Sequence, residues 1–168
     1  MTKKQIEEPV IRYGYRPGVI GRITELHAGY YHQHWDFGLF FESKIASELA
    51  AFLGRFDENR DGIWTAVANK QIVGAIVIDG IDAGDGKAHL RWFILAPEYQ
   101  NVGAGNRLLA VAIDFCRKVK FDRIYLWTFS GLDAARHLYE KNYFRLVAEQ
   151  EGTQWGKCVT EQRFEVDL

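Results

Sequence analysis

Hydrophobic and polar positions change period several times along the chain. From Val19 to about His34, apolar residues recur at Ile20, Ile23, Leu26 and Tyr30, a spacing of three or four that predicts an amphipathic helix. A second helix is predicted over Phe40 to Leu53, with Phe41, Ile45, Leu49 and Phe52 on one face and Gly54 as its stop. After the polar turn "DENRDG" (57–62) the period shortens. The runs "IWTAVA" (63–68) and "QIVGAIVID" (71–79), joined by Asn69-Lys70, predict an antiparallel hairpin. A turn over 80–86 leads to a third β-run, 88–97, which stops at Pro97. A helix is predicted from about Gly105 to Val119, its buried stripe marked by Leu108, Ala112, Phe115 and Val119. "RIYLWTF" (123–129) reads as a strand and "SGLDAARHLYEKN" (130–142) as a short helix, with Ser130 and Asp133 in capping-box spacing. Two closing strands, "FRLVAEQ" and "QRFEVDL", flank a loop at 151–156, and residues 1–17 read as a polar, turn-rich lead-in. The expected order is two helices, three strands, helix, strand, helix, two strands: a mixed α/β layer architecture in one domain, 1–168.

Composition narrows the function classes. A net charge of −1 gives no electrostatic reason for a nucleic-acid or anionic-membrane partner. "MTKKQIEEPV" lacks the apolar core of a signal peptide, and no apolar run approaches the ~20 residues of a membrane span. Cys116 and Cys158 lack metal-ligand spacing and read as reduced thiols of a cytoplasmic protein.

One stretch asks for a chemical explanation. "QNVGAGNRLLAVAIDFCRKV", from Gln100, sets Gly103 and Gly105 between a β-run and a helix. The first helical N–H groups have no intrahelical partner and sit at the positive end of the helix dipole, so strand, glycine turn and helix together make an anion site. No Gly-Lys-Ser/Thr follows, which excludes a P-loop. The dinucleotide fingerprint needs a third glycine at 108, where the chain has Leu108. A glycine-rich helix start without ligand is the plainer alternative.

The segment Gln100-Asn101-Val102-Gly103-Ala104-Gly105 resembles the Q/R-x-x-G-x-G/A signature of the GNAT family of N-acetyltransferases. "LWTFSGLDAARHLYEKNYFRLV" is similar to the family's downstream helix, with its tyrosine and aromatic pair, and the nearest likeness is to acetyltransferase domains fused behind MarR-type regulators. The resemblance implies a GNAT-like mixed, mainly antiparallel sheet and acetyl-CoA as the bound anion. Its pyrophosphate would rest on backbone N–H groups of Val102, Gly103, Ala104, Gly105 and Asn106, flanked by Gln100 and Asn101. Arg107 either adds positive charge there or is a solvated helix residue. The pantetheine arm would pair with the backbone of Phe93, Ile94 and Leu95.

Tyr139 matches the family's tyrosine beside the leaving thiolate; the alternative is packing beside Leu138 and Phe144. The family's glutamate base, fourteen residues before the first glycine, is His89 here, which either acts as base or is an ordinary strand histidine. Two departures stand out. The loop before the downstream helix carries Leu132 where the family often has asparagine, and the family's Gly-Phe pair is Tyr143-Phe144, which suggests altered packing beneath the site.

The acceptor region is sought in "HAGYYHQHWDFGLFFE" (27–42). Tyr31, Trp35 and Phe41 either line a pocket or are core; Asp36 and Glu42 either hold a cationic amine or are solvated. His27, His32 and His34 do not share one helix face, so no metal is expected. The expected activity is acetyl transfer from acetyl-CoA to a small-molecule amine by direct attack in a ternary complex. The alternatives are a non-catalytic acyl-CoA-binding module and a protein N-acetyltransferase. Strand edges near "RFEVDL" offer pairing as a homodimer.

Overall fold

The computed structural model describes residues 6–168. Its elements run β1 (Val10–Tyr13), α1 (Val19–Trp35), α2 (Leu39–Gly54), β2 (Gly62–Ala68), β3 (Gln71–Asp79), β4 (Lys87–Leu95), α3 (Ala104–Val119), β5 (Arg123–Phe129), α4 (Asp133–Lys141), β6 (Arg145–Gly152) and β7 (Val159–Asp167). The seven strands form one mixed sheet in the order β1-β2-β3-β4-β5-β7-β6, antiparallel everywhere except between β4 and β5.

Alternation along the strands splits the core in two. Trp64, Ala66, Val73, Ile76 and Ile78 pack with Leu108, Leu109 and Ala112 of α3. Their neighbours Ile63, Ile72, Ala75 and Val77 pack with Ile23 of α1 and Phe41, Ile45 and Leu49 of α2. Helices therefore cover both faces of β3, which explains its nearly unbroken apolar run. The β2–β3 hairpin closes on Asn69 and Lys70, both at positive φ (48° and 63°), as a two-residue turn with strand-matching twist requires.

Four expectations are corrected. The lead-in contains a strand, β1, paired antiparallel with β2. The third β-run ends at Leu95, because Pro97–Tyr99 winds into a 3₁₀ turn. The capping box does not form: Leu132 is the N-cap of α4 with no side-chain cap, and Ser130 instead donates its N–H to Thr160 O at 2.9 Å. "RFEVDL" is not an edge, since β7 lies between β5 and β6 and the edge strand on that side of the sheet is β6.

Candidate active site

The single parallel pair breaks early. β4 and β5 are in register only at Lys87, Ala88 and His89 against Arg123, Ile124 and Tyr125. β3 continues to hold β4 as far as Leu95, and β7 holds β5 as far as Phe129. Beyond His89 the two halves of the sheet separate, and Leu90–Leu95 loses its β5 neighbour. A bulge accompanies the parting. Two residues of β4, Trp92 and Phe93, answer the single Ile76 of β3 between Val77↔Arg91 and Ala75↔Ile94, and Trp92 takes φ 45°. Trp92 thereby joins Arg91 towards the α1/α2 layer, while Phe93 packs with the α3 core. Gly74 lies opposite the bulge, where an added Cβ would meet Ile94 O at 2.8 Å.

A cleft of about 250 Å³ opens at the parting. His89, Arg91 and Phe93 line it from β4, and Leu126 to Phe129 from β5. His27 and Tyr31 of α1, Phe41, Lys44 and Glu48 of α2, and Tyr139 of α4 complete the walls, and Gln154 and Trp155 reach over from the β6–β7 loop.

The glycine turn lies at the end of β4. Asn101 (φ 63°) and Gly103 (φ 81°) reverse the chain, and the first helical bond of α3 is Arg107 N–H to Gly103 O at 3.1 Å. The amides of Ala104, Gly105 and Asn106 thus precede the helical ladder, with no side-chain cap and no acidic residue in the first turn. The two glycines serve different needs. Gly103 has open space where a Cβ would point, and its positive φ sets the residue type. At Gly105 a Cβ would lie 3.3 Å from Leu95 Cδ1 and 3.5 Å from Leu138 Cδ2, so this glycine lets α3 pack closely on β4 and α4. Gln100 turns inward and donates from Nε2 to Leu95 O at 3.3 Å. Val102 is exposed. Arg107 pairs with Glu8 at 3.3 Å.

Tyr139 is buried, with its ring 6.3 Å from Phe93, 5.7 Å from Phe144 and 6.0 Å from Phe164. Burial pushes its phenol well above the ordinary value, so it remains a proton donor. Tyr31 behaves alike, through burial first and then through the neighbouring Tyr139. His89 stacks on Tyr125 at 4.4 Å, and burial, followed by the charge of Arg91, lowers its pKa to about 3. It is a neutral imidazole at neutral pH. His27 was not singled out as a cleft residue by sequence. It is buried, its Nδ1 lies 2.8 Å from Ile23 O, and burial lowers its pKa to about 4. Because a carbonyl only accepts, Nδ1 carries the proton and Nε2 is left as an acceptor.

Charge in the cleft comes from residues that sequence did not select. Glu48 receives Lys44 Nζ at 2.5 Å and also Arg91 Nη2. Arg91 Nη1 reaches the buried Asp79 at 3.3 Å, and Arg55 binds the same Asp79 oxygen at 2.7 Å. Only the Lys44–Glu48 pair, four residues apart on one helix, left a sequence signal. Asp36 and Glu42 do not line the cleft; Asp36 binds Lys157 at 2.6 Å on the surface. Among the described residues no group of three metal-ligating side chains is found, and no helix is long and apolar enough to cross a membrane. Cys116 is buried and its thiol is pushed up to about 12; Cys158 is exposed.

Among solved structures, the chain is similar to a GNAT-family acetyltransferase from Staphylococcus aureus Mu50, with a TM-score of 0.74 at 20% identity over 95% of this chain and 99% of that one. A ribosomal-protein-alanine N-acetyltransferase from Brucella melitensis matches with a TM-score of 0.73 at 16% identity, over 95% and 99% of the two chains. A protein from Bacillus anthracis assigned as a streptothricin acetyltransferase, solved with acetyl coenzyme A, matches with a TM-score of 0.60 at 21% identity over 70% and 68%. No curated protein matches the sequence significantly. The family model of the Acetyltransferase (GNAT) family matches residues 22–144, most of the chain and nearly all of the cleft, and the protein belongs to that family.

Proposed function

We propose that this protein moves an acetyl group from acetyl-CoA to the amine of a small molecule by direct attack in a ternary complex. The observation that carries the reading is the parting of β4 from β5 beside the uncapped N-terminus of α3. Free amides at Ala104, Gly105 and Asn106 suit a diphosphate, and the open side of Phe93, Ile94 and Leu95 suits an extended amide-bearing arm. Gln100 and Asn101 shape the turn, and Val102 and Gly103 present its outer surface. Arg107, engaged by Glu8, contributes charge at longer range. Within the family we group the chain with acetyltransferase domains of the MarR-fused kind, on the segment from Leu126 to Val147, and we take residues 1–168 as one cytoplasmic N-acetyltransferase domain.

In the transfer step the amine nitrogen bonds to the thioester carbon, the C–S bond breaks, and the sulfur leaves with the bond pair. The nitrogen sheds one proton and the sulfur gains one. Tyr139 is the group we assign to donate towards the sulfur, because burial keeps its phenol protonated. A histidine with a pKa of about 3 does not hold a proton at pH 7, so His89 acts by accepting a hydrogen bond that orients the amine, and the proton the nitrogen sheds goes to solvent. Neither cysteine suits a covalent carrier: Cys116 is a buried thiol on α3 with its pKa raised to about 12, and Cys158 lies outside the cleft walls. The modest volume and the overhanging Trp155 favour a small acceptor over a protein segment.

The test is thiol release from acetyl-CoA across a panel of amines, with CoA binding by calorimetry alongside. We expect turnover, lowered about 10²-fold in kcat by Tyr139→Phe with CoA affinity retained. Tight CoA binding without turnover on any amine would establish the non-catalytic module instead, and turnover only on peptides would establish a protein N-acetyltransferase.

A further inference from the structure

The cleft holds more positive charge than its own residues neutralise. Lys44, Glu48 and Arg91 are all partly buried in its wall, with side-chain exposures of 27%, 34% and 22%. One carboxylate therefore serves two cations. Behind them Arg55 and Asp79 offset each other, with Asp79 sealed at 1% exposure. His27 and His89, both driven to the neutral form, add no charge to this balance. Among the charges acting on His89, that of Arg91 is the largest, ahead of the opposing carboxylates of Asp79 and Asp82.

The donor inventory says what this excess can receive. Lys44 has three N–H donors and spends one on Glu48. Arg91 has five, spends one on Asp79 and one on Glu48, and its Cζ lies over the Trp92 ring, 4.1 Å from the centroid. Both can take a second anion without releasing the first. An incoming ammonium faces the reverse situation: it would have to displace Lys44 or Arg91 from Glu48 and would exchange one cation for another. A second part of the cleft lining is aromatic. Tyr31 meets Phe41 at 5.2 Å and Phe129 at 5.8 Å, and Phe129 meets Trp155 at 5.4 Å.

We propose that the acceptor is an amino-acid-like amine, carrying its own carboxylate and an apolar side group, with the carboxylate received by Lys44 and Arg91 and the side group by the Tyr31–Phe41–Phe129–Trp155 wall. The inference rests on the acetyl-transfer reading above and names the acceptor class for that site. Glu48 acts in it as the counter-charge that keeps Lys44 and Arg91 in place when no acceptor is bound.

The experiment uses the intact chain, acetyl-CoA, and matched sets of free amino acids, their carboxamides and the corresponding decarboxylated amines, read as thiol release. Apolar amino acids are expected to exceed their carboxamides in kcat/KM by roughly tenfold or more, as befits a hydrogen-bonded charge pair in a partly desolvated site. Lys44→Met keeps the side chain's length without its charge and is expected to collapse that ratio by raising KM for the acid. Glu48→Gln removes the carboxylate that Lys44 and Arg91 share and is expected to widen it. Because the readout is a ratio within one variant, partial loss of folded protein does not move it. Carboxamides or decarboxylated amines used as well as the acids, or a ratio unmoved by Lys44→Met, would overturn the acceptor class while leaving acetyl transfer standing. Silence towards every amine, with acetyl-CoA still bound, would overturn both.

Discussion

Tyr143 holds a backbone conformation that a β-carbon resists, with φ at 66°. It is the residue just past the end of α4, where its N–H bonds to Glu140 O and that of Phe144 to Tyr139 O, each at 3.0 Å. Such a left-handed terminus is the usual place for glycine, which adopts positive φ without steric cost. The Tyr143 side chain offers little in return, being 83% exposed, while the following Phe144 fills the core beside Tyr139. The Tyr-Phe pair therefore changes backbone strain and not the packing beneath the site. Replacing Tyr143 by glycine is expected to raise unfolding free energy by about 1 kcal/mol. Chemical denaturation measures this; an unchanged or lower midpoint at constant slope would show that the tyrosine ring carries an interaction its exposure conceals.

At the scale of the element, α3 separates structural from ligand-binding demands at its N-terminus. An ordinary helix start gains from an acidic residue in its first turn, because the carboxylate meets the positive end of the dipole. α3 has none there, and its amides are not capped by any side chain. Asn106 is exposed in that first turn. Asn106→Asp is accordingly expected to stabilise the fold by about 0.5 kcal/mol while weakening CoA binding severalfold, since the same carboxylate repels a diphosphate. Opposite signs in thermal unfolding and calorimetry would mark a terminus kept open for an anion. If both quantities rose together, the terminus would be no more than an imperfect cap. The parting of β4 and β5 is a separate property, set by a bulge at Trp92 and by β3 and β7 holding the two strands independently.

Across the whole molecule, what sequence disclosed was local and what it hid was joined through space. α1, α2, the β2–β3 hairpin and α3 were legible because their periods persist over many residues, and the Gly103 turn because it lies in one short segment. β1 was missed because "VIRY" is four residues long, interrupted by Arg12 and exposed at the sheet edge. The Glu48–Arg91 pair joins residues 43 apart on α2 and β4, and the reach of Trp155 into the cleft depends on how the β6–β7 loop folds back; neither leaves a periodic trace. His27 lies at i+4 from Ile23 on the buried side of α1, and only the packing around it makes it a cleft residue; it also ties the stability of the fold to pH. Buried between α1 and the cleft, it has a pKa of about 4 in the folded chain against an ordinary 6.5. The folded state thus binds fewer protons than the unfolded one over that interval. Stability is fully present above pH 6.5 and declines as pH falls towards 4, by about 3 kcal/mol from this residue. His89, lowered further to about 3, adds a loss of the same sign that continues below pH 4. His27→Asn keeps a donor for Ile23 O and removes the titration. Its unfolding free energy is expected to fall less steeply between pH 6.5 and 4 than that of the parent, whatever the variant's stability at neutral pH. Equal slopes for the two proteins would mean that His27 is solvated enough to charge within the folded chain, and that the cleft is wetter than its aromatic lining implies.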